Sequence, residues 1–590
     1  MIGTVDVTLA ADPAADPAEL GLRARISELE EGLGDPLDPT NPLGHAAVLA
    51  ADERGEPLDV GERLLDRLTL NHEFVPRALG GRLDRMDALV RLGRALFRRD
   101  ATLGLGYGVV SFLAAVPIWI AGDEPQRRRM ARLLLDGGRP ALAYLELAHG
   151  NDFFRNGVTA VADGAGHRLT GRKEMVNNAE RADGVVVFGR TATGPEGHGH
   201  SVFFFGREHL VPEHVWTLPR RPTVGARGCQ FGGFEFDDCP APAGTLVGQV
   251  GDGMRIALRS FQLTRSVIPG MVLGGADTAL RIVVRFAAQR RLQGRSPLEM
   301  PHSRAALVGA FADLLACDSL ALVATRAAHL LPEQTSVLAA AVKYLLPKLL
   351  GDAVYDLSGI LGADFHARRG EYGLFEKQLR DLPVTTLGHA GTAACLATIV
   401  PQLPRFAGRS WLRPDGLAPP ELFEIGGPLP DLDPARLALT SPADALCASL
   451  VEAADFARWW QPVEGPDASL RELRRLSQTM VDELGRLRHQ CRDLPIGAPA
   501  DAAGLALADR YTLLLAAAAC LGVWRHQLAE GRRDFLADPV WPVAALRRIA
   551  RRLGRPVEDP QDAEQHPMLQ ELLDRYHDGR TYDLYDSHLG

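Results

Sequence analysis

The stretch Arg380-Asp381-Leu382-Pro383-Val384-Thr385-Thr386-Leu387-Gly388-His389-Ala390-Gly391-Thr392 decides how this chain is read. It opens on an Arg-Asp couple that reads as a structural ion pair and closes on a Gly-Thr step before the apolar run 393–400. Thr392 can cap the helix that this run predicts, or donate to a bound phosphate at the same helix start, and the two roles are compatible. His389 has an imidazole whose ordinary pKa suits proton transfer near neutrality; it also reads as a helix-capping or solvated side chain.

Working outward, helical periodicity runs from about 253 to 400 in three or four long segments, with Gly274-Gly275, Pro297, Pro301 and Pro332 as expected breaks. Before it, short apolar runs at 142–147, 157–162, 184–188, 201–205 and 233–236 are punctuated by Asp163-Gly164 and Thr170-Gly171. They predict a β domain of six to eight strands, closed or sandwiched. Residues 58–138 read as helical. Within them, 101–122 carries no charge and is long enough for a membrane span, but four glycines and Pro117 favour a buried helix pair broken near Gly108 or Pro117. The expected divisions are a flexible leader at 1–45 with a short charged helix over 22–31, a helical domain at 46–138 and the β domain at 139–245. A helical bundle at 246–402, a proline-rich linker at 403–440 and a further helical domain at 441–590 follow, the last forty residues reading in part as an interaction tail.

Composition narrows the class. A chain of 590 residues exceeds what one core usually holds, about 250–300 residues, so several domains are expected. With 46% hydrophobic and 24% charged residues it reads as soluble and globular, and a net charge of -9 argues against wrapping nucleic acid or lying on anionic lipid. Seven scattered cysteines, with no CxxC pair and no secretory leader, point to a reducing cytoplasm and to neither a disulfide scaffold nor a metal site.

Four further segments give the stretch its meaning. They are Ala143-Tyr144-Leu145-Glu146-Leu147-Ala148-His149-Gly150-Asn151-Asp152; Gly171-Arg172-Lys173-Glu174-Met175-Val176-Asn177-Asn178-Ala179; Leu263-Thr264-Arg265 with Gln289-Arg290-Arg291-Leu292-Gln293-Gly294; and Ile360-Leu361-Gly362-Ala363-Asp364-Phe365. In this order and spacing, ending at Arg380-Asp381 and Gly391-Thr392, the chain resembles the acyl-CoA dehydrogenase and acyl-CoA oxidase family over about residues 58 to 402. The C-terminal extension is similar to that of the family's longer members.

The resemblance implies an α+β fold: a helical domain, a central β-barrel or sandwich, a four-helix bundle and an additional C-terminal helical domain. It implies FAD between β domain and bundle, with pyrophosphate and adenine reaching a neighbouring subunit of a homodimer or larger homo-oligomer. Tyr144, Leu147, Asn151, Asp152, Met175 and Asn177 would then lie at the flavin ring, Arg290 at the pyrophosphate, Gly362 at the adenosine half and Thr392 at a cofactor phosphate, with Arg265 on the substrate side. Departures at His149-Gly150-Asn151, Met175, Asn177, Gln293 and Gly359 are expected to weaken FAD binding.

Family members remove an α-proton from an acyl thioester with a glutamate at one of two positions; here these are Ala390 and Thr264. His389, or Glu371 or Glu376 folding back, are the candidate replacements. The leading expectation is α,β-dehydrogenation of an acyl-CoA or acyl-carrier-protein thioester. A reduced-flavin monooxygenase of the same fold, and an inactive relative that binds a thioester or a partner, stay open beside it.

Overall fold

A computed structural model describes residues 16–150, 152, 155–191, 199–291, 294–368, 370–384, 391–461, 468–495, 500–558 and 562–589. Asn151, His389 and Ala390 lie outside the described residues.

Among the described residues eight strands form the β domain: β1 Pro140–Ala143, β2 Thr159–Asp163, β3 Gly166–Asn177, β4 Gly184–Arg190, β5 His200–Gly206, β6 Val215–Leu218, β7 Phe231–Ala241 and β8 Leu246–Val247. Their order is β6-β7-β3-β2-β4-β5-β8, with β1 pairing β4 in parallel. The runs 185–188 in β4 (GVVVFGR) and 202–205 in β5 (HSVFFFG) are apolar without alternation because both faces are covered. Val185, Val187, Phe203 and Phe205 face the β-domain core, while Val186, Phe188, Val202 and Phe204 face the helices. The alternation of strand side chains thus joins two cores through one pair of strands. Asp163-Gly164 is the expected turn, closing the β2–β3 hairpin with Gly164 at φ 58°. Thr170-Gly171 is not a turn: it sits inside β3 where the register against β7 shifts, and Gly171 takes φ 131° against Val158.

The helices Gly253–Gln289, Pro301–Leu330 and Thr335–Leu361 pack on one another and on Met86–Arg99. Gly274-Gly275 does not break the first of these, which is continuous over 37 residues. A Cβ at Gly274 would stand 2.2 Å from the Arg94 carbonyl oxygen, so glycine is there to let two helix backbones cross. Pro297, Pro301 and Pro332 do open helical segments. Nor is 101–122 broken: a π-helical turn at Gly104–Val109 joins Ala101–Leu103 to Val110–Ala121, and Pro117 is carried inside. Among the described residues four helices have the length and composition to cross a membrane, and each is mostly buried within the protein.

Both ends of the described chain are tied in. Pro17–Leu33 is a packed helix, not part of a loose leader: Leu22, Leu29 and Leu33 are buried, and Glu19 accepts from Arg91 at 2.7 Å and Arg85 at 3.0 Å. At the other end the segment 581–585 enters the core and does not hang as a tail. The Tyr582 and Leu584 N–H groups donate to Asp277 and Asp318, each at 2.8 Å, and the Asp583 carboxylate meets Arg94 at 3.1 Å. The linker is likewise internal, with Trp411 fully buried and its indole donating to Asp444 at 2.7 Å. All seven cysteines are buried and free, and no group of metal-ligating side chains occurs among the described residues.

Candidate active site

Where the first helices, the β domain and the bundle meet, they enclose a largely apolar cavity of about 500 Å³. Phe97, Leu105 and Leu113 line it from the first helices, Ile268 and Val272 from the bundle. Gly225 and Ala226 close one side through a segment packed on Arg380-Asp381; a Cβ at Gly225 would stand 2.6 Å from the Arg380 carbonyl oxygen.

The β domain contributes Tyr144, Leu147, Met175 and Asn177, which the sequence places at a flavin ring and the fold brings to this one wall. Met175 has φ 52° at a register shift between Glu174 and Val176. Left-handed backbone costs a residue with a side chain about 1–2 kcal/mol, strain of a kind that concentrates at ligand sites. Asn177 accepts from the Gln230 N–H at 3.0 Å. The Leu147 N–H donates to Glu174 at 3.3 Å, and its side chain is half exposed.

Among the described residues two carboxylates reach the cavity, and both are already committed. Glu146 accepts from the Lys173 ammonium at 2.7 Å and from the Gly157 and Val158 N–H groups at 2.7 and 3.1 Å. Burial alone would raise the Glu146 pKa, but Lys173 and the two N–H donors outweigh it and hold it below the usual carboxylate value. Asp381 accepts from Lys377 at 2.6 Å and from the Ala226 N–H at 2.7 Å, and Asp100 holds the other side of Lys377 at 2.6 Å. The expected Arg380–Asp381 pair is therefore a minor contact at 3.8 Å; Arg380 binds Asp52 at 2.7 Å. Of the proposed replacement acids, Glu371 faces Arg285 at 3.6 Å and Glu376 faces Arg380 at 3.4 Å, and neither lines the cavity.

Other polar groups at the cavity are uncommitted. Among the described residues the Tyr144 hydroxyl, Gln378 Nε2 and Thr223 Oγ1 are buried without a hydrogen-bond partner. Lys343 also lines the cavity, with side-chain neighbours that include Arg265 and Cys395. Burial pulls its pKa down to about 8; the Cys395 side chain opposes this and Arg265 adds to it. Arg265, expected on the substrate side, is buried beside this wall with its guanidinium 4.6 Å from the Phe261 ring centre, and burial lowers its pKa. Sequence reading missed Lys343: it is the one charge in the apolar run 337–346 of its helix, and that was the available signal.

The remaining expected cofactor residues lie elsewhere. Arg290 caps the Gly253–Gln289 helix, half exposed, 3.7 Å from Asp364 and so close to the Gly362 turn. Gly362 has φ 55°, and a Cβ there would meet nothing within 4 Å. Thr392 is exposed at the start of Thr392–Ile399, where no side-chain capping bond forms, and Asp152 is exposed beside Arg155. One set of residues thus gathers at the cavity and another lies on the outer surface of the single chain.

Comparison with known proteins agrees with the fold. Residues 251–402 match the acyl-CoA dehydrogenase C-terminal domain. The chain is 29% identical over 223 residues to the human mitochondrial short-chain specific acyl-CoA dehydrogenase, covering 37% of this chain and 53% of that one. It is 28% identical over 222 residues to an acyl-CoA dehydrogenase of Bacillus subtilis, covering 38% and 58%. The alignments thus span about half the length of these relatives. Butyryl-CoA dehydrogenase from Megasphaera elsdenii superposes with a TM-score of 0.58 at 20% identity, over 65% of this chain and 97% of that one. A prolyl acyl carrier protein oxidase superposes with a TM-score of 0.56 at 17% identity, over the same shares of the two chains. By its bundle sequence and its three-part fold, the chain is similar to the acyl-CoA dehydrogenases and shares their fold.

Proposed function

We propose that this protein is a flavin-dependent oxidoreductase that dehydrogenates an acyl thioester between its α and β carbons. The observation that carries the reading is the cavity at the three-domain junction, with apolar walls interrupted by a few unpartnered buried polar groups. Apolar walls suit an acyl chain. Buried polar groups without partners cost about 1–3 kcal/mol each, which a ligand with a polar edge would offset. FAD fits this half of the site: the Tyr144 hydroxyl and Gln378 Nε2 are donors at a wall that also carries Met175 and Asn177. When bound, FAD supplies the two-electron acceptor. Arg290, Gly362 and Thr392 would serve the adenosine half from the outside, as expected where a second copy completes the site.

The test is spectroscopic. The purified protein, reconstituted with FAD, should show a bound flavin spectrum that bleaches anaerobically with saturated acyl thioesters of CoA or of a carrier protein. Failure to retain flavin refutes the redox reading and leaves a binding role. Oxygen uptake that depends on a flavin reductase, without bleaching, assigns a monooxygenase instead.

A further inference from the structure

A cation buried in an apolar wall is ordinarily paired, because an unpaired buried charge costs several kcal/mol. Lys343 is 5% exposed, and no hydrogen bond or ion pair forms at its Nζ among the described residues. It is therefore either neutral or waiting for charge that arrives with a ligand.

Its position is specific. Among the described residues its charged or titratable neighbours are Arg265, which adjoins Thr264, and Cys395, which lies five residues after Ala390. Thr264 and Ala390 are the positions at which the resemblance expects the glutamate base. Lys343 thus stands beside Arg265, next in sequence to the first of these positions, and beside Cys395 on the helix that follows the second, on the wall of the cavity that would hold the thioester. The helices of Arg265 and Lys343 each carry a proline four residues after these side chains. Pro269 and Pro347 carry no N–H, so neither can donate the helical bond that would close on the carbonyl of Arg265 or of Lys343. Glu146 and Asp381, the carboxylates that line the same cavity, are held by Lys173 and by Lys377 with Ala226.

Resting on the thioester reading above, we propose that Lys343 is the catalytic residue that takes the α-proton of the bound acyl thioester. In this step the α C–H bond breaks and its electron pair is left on the enolate. The proton completes the Nζ ammonium, which stays beside the enolate as its counter-charge. The reverse step returns that proton, or a deuteron exchanged from solvent, so the exchange needs no oxidant. With a pKa of about 8, roughly a tenth of the amine is neutral at pH 7, and that fraction rises to its limit above pH 9.

The experiment follows α-proton exchange in D2O by NMR on the full chain, using 3-thiaoctanoyl-CoA, whose β position is sulfur and carries no hydride. Binding of the probe is measured separately by calorimetry. Exchange should rise with pH through about 8. It should fall ~100-fold or more in Lys343→Met, within the range for loss of a positioned acid–base group, while the probe still binds. Added propylamine should restore exchange in Lys343→Ala, a rescue that a merely structural lysine would not show. Competitive acetylation read by mass spectrometry should place half-reactivity of Lys343 near pH 8, well below an ordinary lysine. Binding and exchange that survive in Lys343→Met overturn the role of Lys343 alone. A wild-type protein that neither binds nor exchanges the probe overturns the thioester reading, and this proposal with it.

Discussion

Replacing Gly274 by alanine should destabilise this protein although the change raises helix propensity. An interior helical glycine with open space around it gains up to about 1 kcal/mol on becoming alanine. Gly351 is such a site, inside Thr335–Leu361 with nothing within 4 Å of a built Cβ. At Gly274 the same methyl group would stand 2.2 Å from the Arg94 carbonyl oxygen and 2.9 Å from the Arg98 nitrogen. A comfortable carbon–oxygen contact is about 3.3 Å or more, so the helices would have to part by about 1 Å. Both clashing atoms are backbone, and Arg94 is anchored at its other end by Asp318, Asp583 and the Gly270 carbonyl. Overpacking of this kind costs roughly 1–3 kcal/mol, and a site that cannot relax sits at the upper end. The net loss is then about 2 kcal/mol for Gly274→Ala, against a gain of up to about 1 for Gly351→Ala. For a cooperative unit of some 150–250 residues, 2 kcal/mol lowers the melting midpoint by about 4–8 °C. Parallel thermal melts of the two variants, followed by circular dichroism, measure the contrast. Flavin retention supplies a second readout, since the crossing carries Phe97 and Val272 on the cavity wall. A Gly274→Ala protein that melts at or above Gly351→Ala would refute the reasoning.

Glu19 ties the first helix to the core and gives a pH signature. Burial would raise its pKa, but Arg91, Arg23 and Arg85 more than offset this and bring it from 4.5 down to about 2. A depressed carboxylate pKa means stability that is present above about pH 4.5 and lost as pH falls toward 2. The difference of about 2.5 units corresponds to roughly 3 kcal/mol, so Glu19→Gln should cost about that at pH 7, with the gap to wild type narrowing between pH 5 and 2 in urea melts. A gap that does not change with pH would exclude the ion pairs as its source. Arg94→Met should cost about 3–5 kcal/mol, because it leaves Asp318 and Asp583 facing one another without their cation. Adding Asp583→Asn should recover part of that loss in denaturant titrations, and strictly additive losses would show that the two residues are not coupled.

The division into helices, strands and further helices was legible because periodicity changes sharply at Pro140 and again near Gly253. Strands such as β4 and β5 were visible as apolar runs, whereas β3 was hidden from pattern reading by Thr170-Gly171, which looks like a turn and is a bulge. Gly274-Gly275 misled for a related reason: local propensity registers the flexibility of glycine but not the helix that crosses there. Tyr144, Leu147, Met175 and Asn177, grouped by resemblance, line one cavity. The commitment of Asp381 to Lys377, four residues earlier, could have been inferred from helical spacing; that of Glu146 to Lys173 and two backbone N–H groups needed the tertiary fold. Lys343 was hidden because an uncommitted buried cation is defined by what surrounds it in space.

The segment 581–585 bears on how this protein is made. Arg94 in Met86–Arg99 and Asp318 in Pro301–Leu330 are buried with Asp583, which emerges from the ribosome nearly 500 residues after the arginine. At synthesis rates of about 5–20 residues per second, the helices and the β domain exist for tens of seconds before that carboxylate is available. During that interval the crossing of the first helices with the bundle lacks one of its carboxylates and the N–H groups that cover Asp277 and Asp318. The sealing of this core therefore waits for the synthesis of residues 581–585. A message cut short, or a chain clipped near residue 580, would yield a protein with its domains in order and its centre unsealed, a state that protein quality control can recognise.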